Sequence, residues 1–384
     1  MIEIREIGQD EVLSQMFHTL PARLYASDPY KIPNDPDIEA GLFDPKRNPA
    51  LSFCFAERWV AIMDGLCVGR IAAIVNRRWI EKTGDPIGRI TRFECINDIS
   101  VAEALFSAAE DWLSERGMEQ IIGPLGFCNI DSYGLTTTGF DQPASFASTQ
   151  SLPYYVNLWQ KCGYKHLQDW NEYRINVHIQ IPDRLDKTAD GSEQRSDIRV
   201  YNLETDEDIE KYATEVYNLF NIAYAPHLGA FPLDEKLQKY YYDKYRRWLT
   251  PRYIIVARKN EVRNHRDKTV VVGKLVGFLV AIPSVSKALI ENKDKTGIAR
   301  WWGMRQSLQK TSEVEVLIGA VHPNYRRQGI LSILTRHLFR QCIKEGMQVI
   351  QTTTVVNGGD GGFNPKKHFD AQISRQKRCY IKNL

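Results

Sequence analysis

The sequence predicts an α/β chain, a mixed sheet with helices packed on it, built twice in tandem. Three observations predict this. The chain has 384 residues, more than one ordinary domain uses, which points to two. The stretch "PDRLDKTADGSEQRSD" at 182–197 is polar and lacks aromatics and periodic hydrophobics, so it reads as a linker or long surface loop between near-equal halves. Two pairs of segments also recur in the same order. "LCVGRIAAIV" (66–75) matches "KLVGFLVAIP" (274–283), and "LSERGMEQI" (113–121) matches "CIKEGMQVI" (342–350). The first pair reads as a buried strand after a tight turn, the second as a helix end, a glycine stop and a new strand. The spacing is longer in the second half, which fits an insertion around 284–312. The expected boundaries are 1–181, a linker at 182–197, and 198–384.

In the first half, Ile2–Ile7 reads as a strand and Asp10–Leu20 as a helix. A Pro- and Asp-rich stretch follows, then strands at 57–63, 67–75 and 87–93. A helix at Val101–Arg116 and a strand at Gln120–Ile122 come next. "PYYVNLWQKCGY" (153–164) reads as a helix entered at Pro153 and stopped by Gly163. In the second half, Arg199–Leu203 is a strand, and Asp206–Tyr224 and Leu233–Trp248 have helical apolar spacing. Tyr253–Arg258 and Val270–Ile282 form a strand pair, and Glu313–Val321 is a strand. Ile330–Glu345 is a helix with Leu331, Leu334, Leu338 and Cys342 on one face, and Val349–Val356 is a β-branched strand. The order β-α-α-β-β-β-α-β implies a mixed sheet with helices on it.

Composition narrows the function. Hydrophobic content of 43% and charged content of 25% are those of an ordinary globular protein. The net charge of +3 is mild and makes no strong case for nucleic acid or an anionic membrane as partner. No apolar run approaches the ~20 residues that span a bilayer, and "MIEIREIGQDEV" has no signal-peptide core. The cysteines (54, 67, 95, 128, 162, 342, 379) are scattered, which excludes a CxxC redox or zinc site and suits reduced thiols in a cytoplasmic protein. No metal site is expected.

The segment "VHPNYRRQGILSIL" (321–334) carries the chemistry. A strand runs into a turn, and a helix follows. A helix N-terminus presents unpaired N–H groups and the positive end of a dipole, which together make an anion site. Pro323 ends the strand, Gly329 allows close approach of a ligand, and Arg326 and Arg327 add charge where a phosphate would sit. Neither GxxxxGK[ST] nor GxGxxG occurs.

These residues resemble motif A of the GNAT superfamily, the GCN5-related N-acetyltransferases. That motif is Arg/Gln-x-x-Gly-x-Gly/Ala between the fourth strand and a long helix, and here it reads Arg326-Arg327-Gln328-Gly329-Ile330-Leu331. The resemblance implies a tandem GNAT fold and acetyl-CoA or another acyl-CoA as co-substrate. The pyrophosphate would lie on the N–H groups of 327–331. The pantetheine arm would lie along Gly319, Ala320 and Val321. It further implies an amine acceptor and a glutamate base on the fourth strand, the position of Glu315. An asparagine after the fifth strand, Asn357, would complete the CoA contacts. Leu331 departs from the pattern, whose sixth residue is usually small. "GGDGG" (358–362) replaces the helix and tyrosine acid expected after Asn357.

The first half shows the reverse. Tyr154, Tyr155, Gly163 and Tyr164 resemble the missing helix ending. Its strand-to-helix junction is "FECINDISVAEALF", in which Asn97 and Asp98 cap the helix and no arginine or glycine of the phosphate turn occurs. The first half is therefore expected to lack a CoA site. Two other readings stand beside the acyl-CoA transferase. One is an aminoacyl-type transferase with Lys366, Lys367, Arg375, Lys377, Arg378 and Lys382 facing RNA. The other is a non-catalytic binding module.

Overall fold

Apolar β-formers alternate or run together in the segments that become strands, and segments of helical spacing join them. The computed structural model describes residues 1–265, 268–356, 365 and 369–384. The first half holds β1 (Ile2–Glu6), α1 (Glu11–Leu24), α2 (Pro36–Leu42), β2 (Cys54–Met63), β3 (Leu66–Asn76), α3 (Arg77–Thr83) and β4 (Ile87–Cys95). Then come α4 (Ile99–Ser114), β5 (Gln120–Gly123), β6 (Leu135–Thr138), α5 (Tyr155–Lys161) and β7 (Lys165–Asn176). The second half holds α6 (Asp183–Glu193), β8 (Ile198–Asn202), α7 (Asp206–Ala223), α8 (Glu235–Tyr245), β9 (Ile254–His265) and β10 (Lys268–Pro283). It continues with α9 (Ser286–Glu291), α10 (Gly297–Gln309), β11 (Glu313–Val321), α11 (Ile330–Lys344), β12 (Val349–Thr352), β13 (Val355–Val356) and β14 (Ala371–Asn383).

The chain divides into two units. One is Met1–Asn171 with His227–Phe231 and Ser374–Leu384. The other is Glu172–Pro226 with Pro232–Ile373. In the first unit the strand order is β1-β2-β3-β4-β5-β14, with β6 also on β14. Only β4 and β5 run parallel. Helix α4 buries Val101, Leu105, Phe106, Ala109 and Leu113 against this sheet. Phe106 stacks on Phe93 with ring centroids 4.4 Å apart. Gly69 on β3 is required by that packing, since a Cβ there would lie 2.6 Å from Leu105 Cδ1.

In the second unit the order is β7-β12-β11-β10-β9-β8, and β11 and β12 are the parallel pair. Helix α11 buries Ile330, Leu334, Leu338, Phe339 and Cys342 over this sheet, a stripe at helical spacing. Gly277 on β10 stands where Gly69 stands on β3. A Cβ on it would lie 3.1 Å from Ile330 Cγ2. The matched Val-Gly segments thus do the same work in both units, letting a helix sit close on the sheet.

Three expectations change. The stretch read as a linker carries helix α6. Leu185, Ala189 and Ser192, at helical spacing, are buried. Its carboxylates Asp186, Asp190 and Glu193 pair with Arg336 of α11, whose side chain is only 1% exposed. That pairing joins distant residues, so no local signal announces it. The strand expected at 349–356 breaks after Thr352. The C-terminal basic run forms β14, which belongs to the first unit from Ser374 on. Arg375 donates to the Gln142 carbonyl at 2.7 Å and Lys377 to Ser148 Oγ at 2.7 Å, and both are buried. Arg378 pairs with Asp169 and Lys382 with Glu110. These four cations are held inside their own unit, which removes the RNA-facing groove as read from the sequence. Lys366 and Lys367 lie outside the described residues, as do Asn357 and the "GGDGG" stretch.

Candidate active site

Strand β11 is paired on both sides only for its first four residues. Its ladder with β12 runs from Glu313↔Val349 to Val316↔Thr352. The Thr353 N–H donates to the Val316 carbonyl at 3.1 Å as the last bond of that side. On the other side the register with β10 shifts between Val280 and Ala281, so Leu317 is passed over. This bulge twists the strand and re-aims the residues beyond it. From Leu317 to Val321, β11 keeps β10 and has no ladder to β12.

The open edge can be located atom by atom. The His322 N–H donates to the Val276 carbonyl of β10 at 2.9 Å. Alternation then turns residues 317, 319 and 321 away from β10. Their carbonyls accept from side chains instead. Leu317 accepts from Thr353 Oγ1 at 2.8 Å, Gly319 from the Tyr224 hydroxyl at 3.0 Å, and Val321 from Arg326 Nε at 3.4 Å. Among the expected pantetheine residues, Gly319 and Val321 therefore face the opening, while Ala320 is buried toward β10.

The turn after β11 ends in an uncapped helix. Arg327 takes φ 62° and Gly329 φ 78°. Gly329 is the N-cap of α11 and has no side chain to offer. The backbone N–H groups of 327–332 have no hydrogen-bond partner among the described residues. Successive N–H groups around left-handed residues form an anion-binding concavity, and the helix dipole adds to it. These features fit a CoA pyrophosphate. Arg327 and Gln328 are exposed. Arg326 is engaged, its Nη2 donating to the Ala223 carbonyl at 3.1 Å. His322 Nδ1 accepts the Asn324 N–H at 3.2 Å, and burial, then Lys274 and Arg326, push its imidazole below the usual value.

Two features narrow the turn. Leu331 is half-buried and stands outside the core that holds Ile330 and Leu334. Helix α6 also reaches the turn, since a Cβ on Gly329 would collide with Ser192 Oγ. The glycine thus serves its own left-handed backbone and the approach of α6 together.

Glu315 lies on β11 two residues before the bulge. It is fully buried, and its Oε1 accepts from Ser284 Oγ at 2.5 Å and Ser286 Oγ at 2.7 Å. Both serines come from the entry to α9, in the segment read as an insertion. Glu313 pairs with Arg174 at 3.0 Å and Lys287 at 2.7 Å. Burial raises its carboxyl pKa, but hydrogen bonds and charge from these two cations outweigh that and hold it below the usual value. Sequence reasoning missed Tyr224, Thr353, Ser284 and Ser286. Tyr224 was legible only as the last residue of a helical run.

The first unit has the same strand without the site. The β3–β4 register shifts between Arg70 and Ala72, and β4 keeps β5 only for Ile87 to Arg89. The Leu125 N–H closes on the Ile90 carbonyl at 2.9 Å, as Thr353 does on Val316. Here the edge is filled. The Cys95 N–H donates to the Tyr155 hydroxyl at 3.2 Å, and the Tyr154 hydroxyl donates to the Cys95 carbonyl at 2.7 Å. The helix that follows, α4, is capped by Asp98, which accepts from the N–H groups of Ser100 and Val101. Tyr154 and Tyr155, which resemble the helix ending missing from the second half, here close the strand edge at Cys95.

Comparison with known proteins agrees with this geometry. Residues 213–360 match the Acetyltransferase (GNAT) family. A tandem GNAT protein from the clavulanic acid biosynthesis pathway superposes on 100% of the chain and 98% of its own, with TM-score 0.52 and 12% identity. Protein YghO of Escherichia coli is 23% identical over 96% of this chain and 92% of its own. A bacterial ceramide synthase of Caulobacter vibrioides is 25% identical over 78% of this chain and 76% of its own. Among the described residues no helix is long and apolar enough to cross a membrane, and no cluster of side chains could hold a metal ion. The chain has the fold of a tandem GNAT protein, and its residues 213–360 are similar to the GNAT acetyltransferase family.

Proposed function

We propose that the chain is an acyl-CoA-dependent N-acyltransferase whose single active site lies in the second unit. The observation that carries this reading is the uncapped N-terminus of α11 beside the open edge of β11. The N–H groups of 327–332 and the Arg327 guanidinium take the pyrophosphate. The N–H groups of Gly319 and Val321 take the amide carbonyls of the pantetheine arm. Asn357, which the family resemblance assigns to CoA, lies outside the described residues. The thioester then lies near the bulge at Leu317. An acceptor amine attacks its carbonyl carbon, a C–N bond forms and the C–S bond breaks. The proton lost by the amine ends on the CoA sulfur or in solvent.

Glu315 is the base of this proposal, reached through the Ser284 and Ser286 hydroxyls that hold its carboxylate. The relative named ceramide synthase supports one acceptor class. Ceramide is the N-acyl derivative of a long-chain amine, so a long-chain amine is the first acceptor to test.

Calorimetry with CoA and acetyl-CoA tests the reading directly. One equivalent per chain is expected, and no binding at millimolar concentration would remove the enzyme in favour of a binding module. Glu315→Gln should leave CoA affinity unchanged and lower kcat by about a hundred-fold. An unchanged kcat takes Glu315 out of the mechanism.

A further inference from the structure

Helix α10 leaves its largest apolar side chains outside. No residue of α10 is buried. The residues that share one face by helical spacing are Ile298, Trp301, Trp302 and Arg305. Ile298 is 77% exposed, Trp301 56% and Trp302 53%. The opposite face leans on α9 through polar groups. Ser307 Oγ donates to Glu291 Oε2 at 2.7 Å, and Asn292 Nδ2 donates to Ser307 Oγ at 3.2 Å. Gly303 lies so close that a Cβ would collide with Asn292 Oδ1. A helix on a globular protein ordinarily turns its apolar stripe to the core. Here only Met304 and Leu308 are half-buried among its large apolar residues, and both tryptophans and Ile298 stand in solvent.

Charge says what covers it. Between 293 and 310 the chain has the cations Lys293, Lys295, Arg300, Arg305 and Lys310, against the single acid Asp294. The two indoles touch edge-on at 5.2 Å, and the Arg305 guanidinium lies 5.6 Å from the Trp301 ring. We propose that this face docks on an anionic lipid surface. The helix lies in the plane of the membrane, with Trp301, Trp302 and Ile298 at headgroup depth and Arg305 and Lys310 on the lipid phosphates. Indoles prefer that depth because one edge is apolar and the other carries an N–H. A second copy of the chain would set Arg305 against cations of the same kind. RNA would use the rings but gain nothing from Ile298, the most exposed of the three. The inference does not depend on the transfer reaction.

Flotation of the full chain with vesicles tests it. One set is phosphatidylcholine alone, the other an equimolar mixture with phosphatidylglycerol. The chain is expected to float with the anionic vesicles only, and to be released by salt. Trp301→Ala with Trp302→Ala should abolish flotation. Arg305→Gln and Lys310→Gln should each weaken it about five-fold. Thermal melting should be unchanged in all three variants, because these side chains hold nothing inside. Failure to float with the anionic vesicles overturns the proposal, and so does flotation that survives loss of both indoles. Concentration-dependent dimers or RNA binding that need the indoles, without flotation, would assign the face to those partners instead.

Discussion

Arg327 holds a left-handed backbone, φ 62°, that costs an L-residue roughly 1–2 kcal/mol. Its side chain is exposed and holds nothing among the described residues. A residue kept in a strained conformation for no internal contact is one whose side chain is wanted outside. Arg327→Gly should therefore leave stability to urea unchanged or slightly higher. It should weaken CoA binding by about ten-fold, the size of one charge-assisted hydrogen bond. Loss of stability with unchanged affinity would mean that the arginine serves the fold. The sequence treated Arg326 and Arg327 as equals. The structure separates them, because Arg326 is spent on the Ala223 and Val321 carbonyls and so builds the turn. Glu315 was legible from its spacing to the motif. Its serines were not, because they sit beyond a strand of the sheet and nothing in local pattern links them to it.

Two strand-to-helix junctions differ in what fills them. In β11–α11 the chain spends residues 322–329 on a turn and leaves the helix uncapped. In β4–α4, residues 96–98 suffice, and the Asp98 carboxylate sits on the N–H groups a phosphate would need. Asp98→Ala should lower stability by about 1 kcal/mol, as loss of an N-cap does. Calorimetry on the variant should still give one CoA per chain. The cap is only half of the obstruction, since Tyr154 and Tyr155 also occupy the strand edge at Cys95. A second equivalent of CoA would show that the cap alone closes that site. The junctions were readable because cap and glycine chemistry are local. Helix α6 was not, because its acids pair with Arg336, a residue far away in the sequence. Helices α9 and α10 were seen only as extra length, and the hairpin grows from the residues that hold Glu315.

Across the whole molecule, each unit keeps the strand that precedes the candidate turn and loads it differently. Where the second unit has Glu315, the first has Arg89, fully buried and donating to the carbonyls of Gly126, Phe127 and Gly229. The bulge of β4 carries Arg92 at φ 54°. Its fork clasps Glu39, with Nε to Oε2 at 3.1 Å and Nη2 to Oε1 at 2.8 Å. Arg70 lies 3.6 Å from the same carboxylate. The strand edge of the first unit thus carries a buried ion network. Burial alone would raise the Glu39 carboxyl, but Arg92 and then Arg70 outweigh it and hold it down at about 2. A carboxylate lowered on folding stabilises the fold above its unfolded value of 4.5, and that contribution is lost as the pH falls toward 2. The shift corresponds to on the order of 3 kcal/mol. Glu39→Gln should therefore be less stable than the parent at neutral pH by urea denaturation. The two curves should converge as the pH falls from 4.5 toward 2. A gap that stays constant through that window would mean that the carboxylate's charge does not hold this bulge, and that its hydrogen-bonding shape alone does.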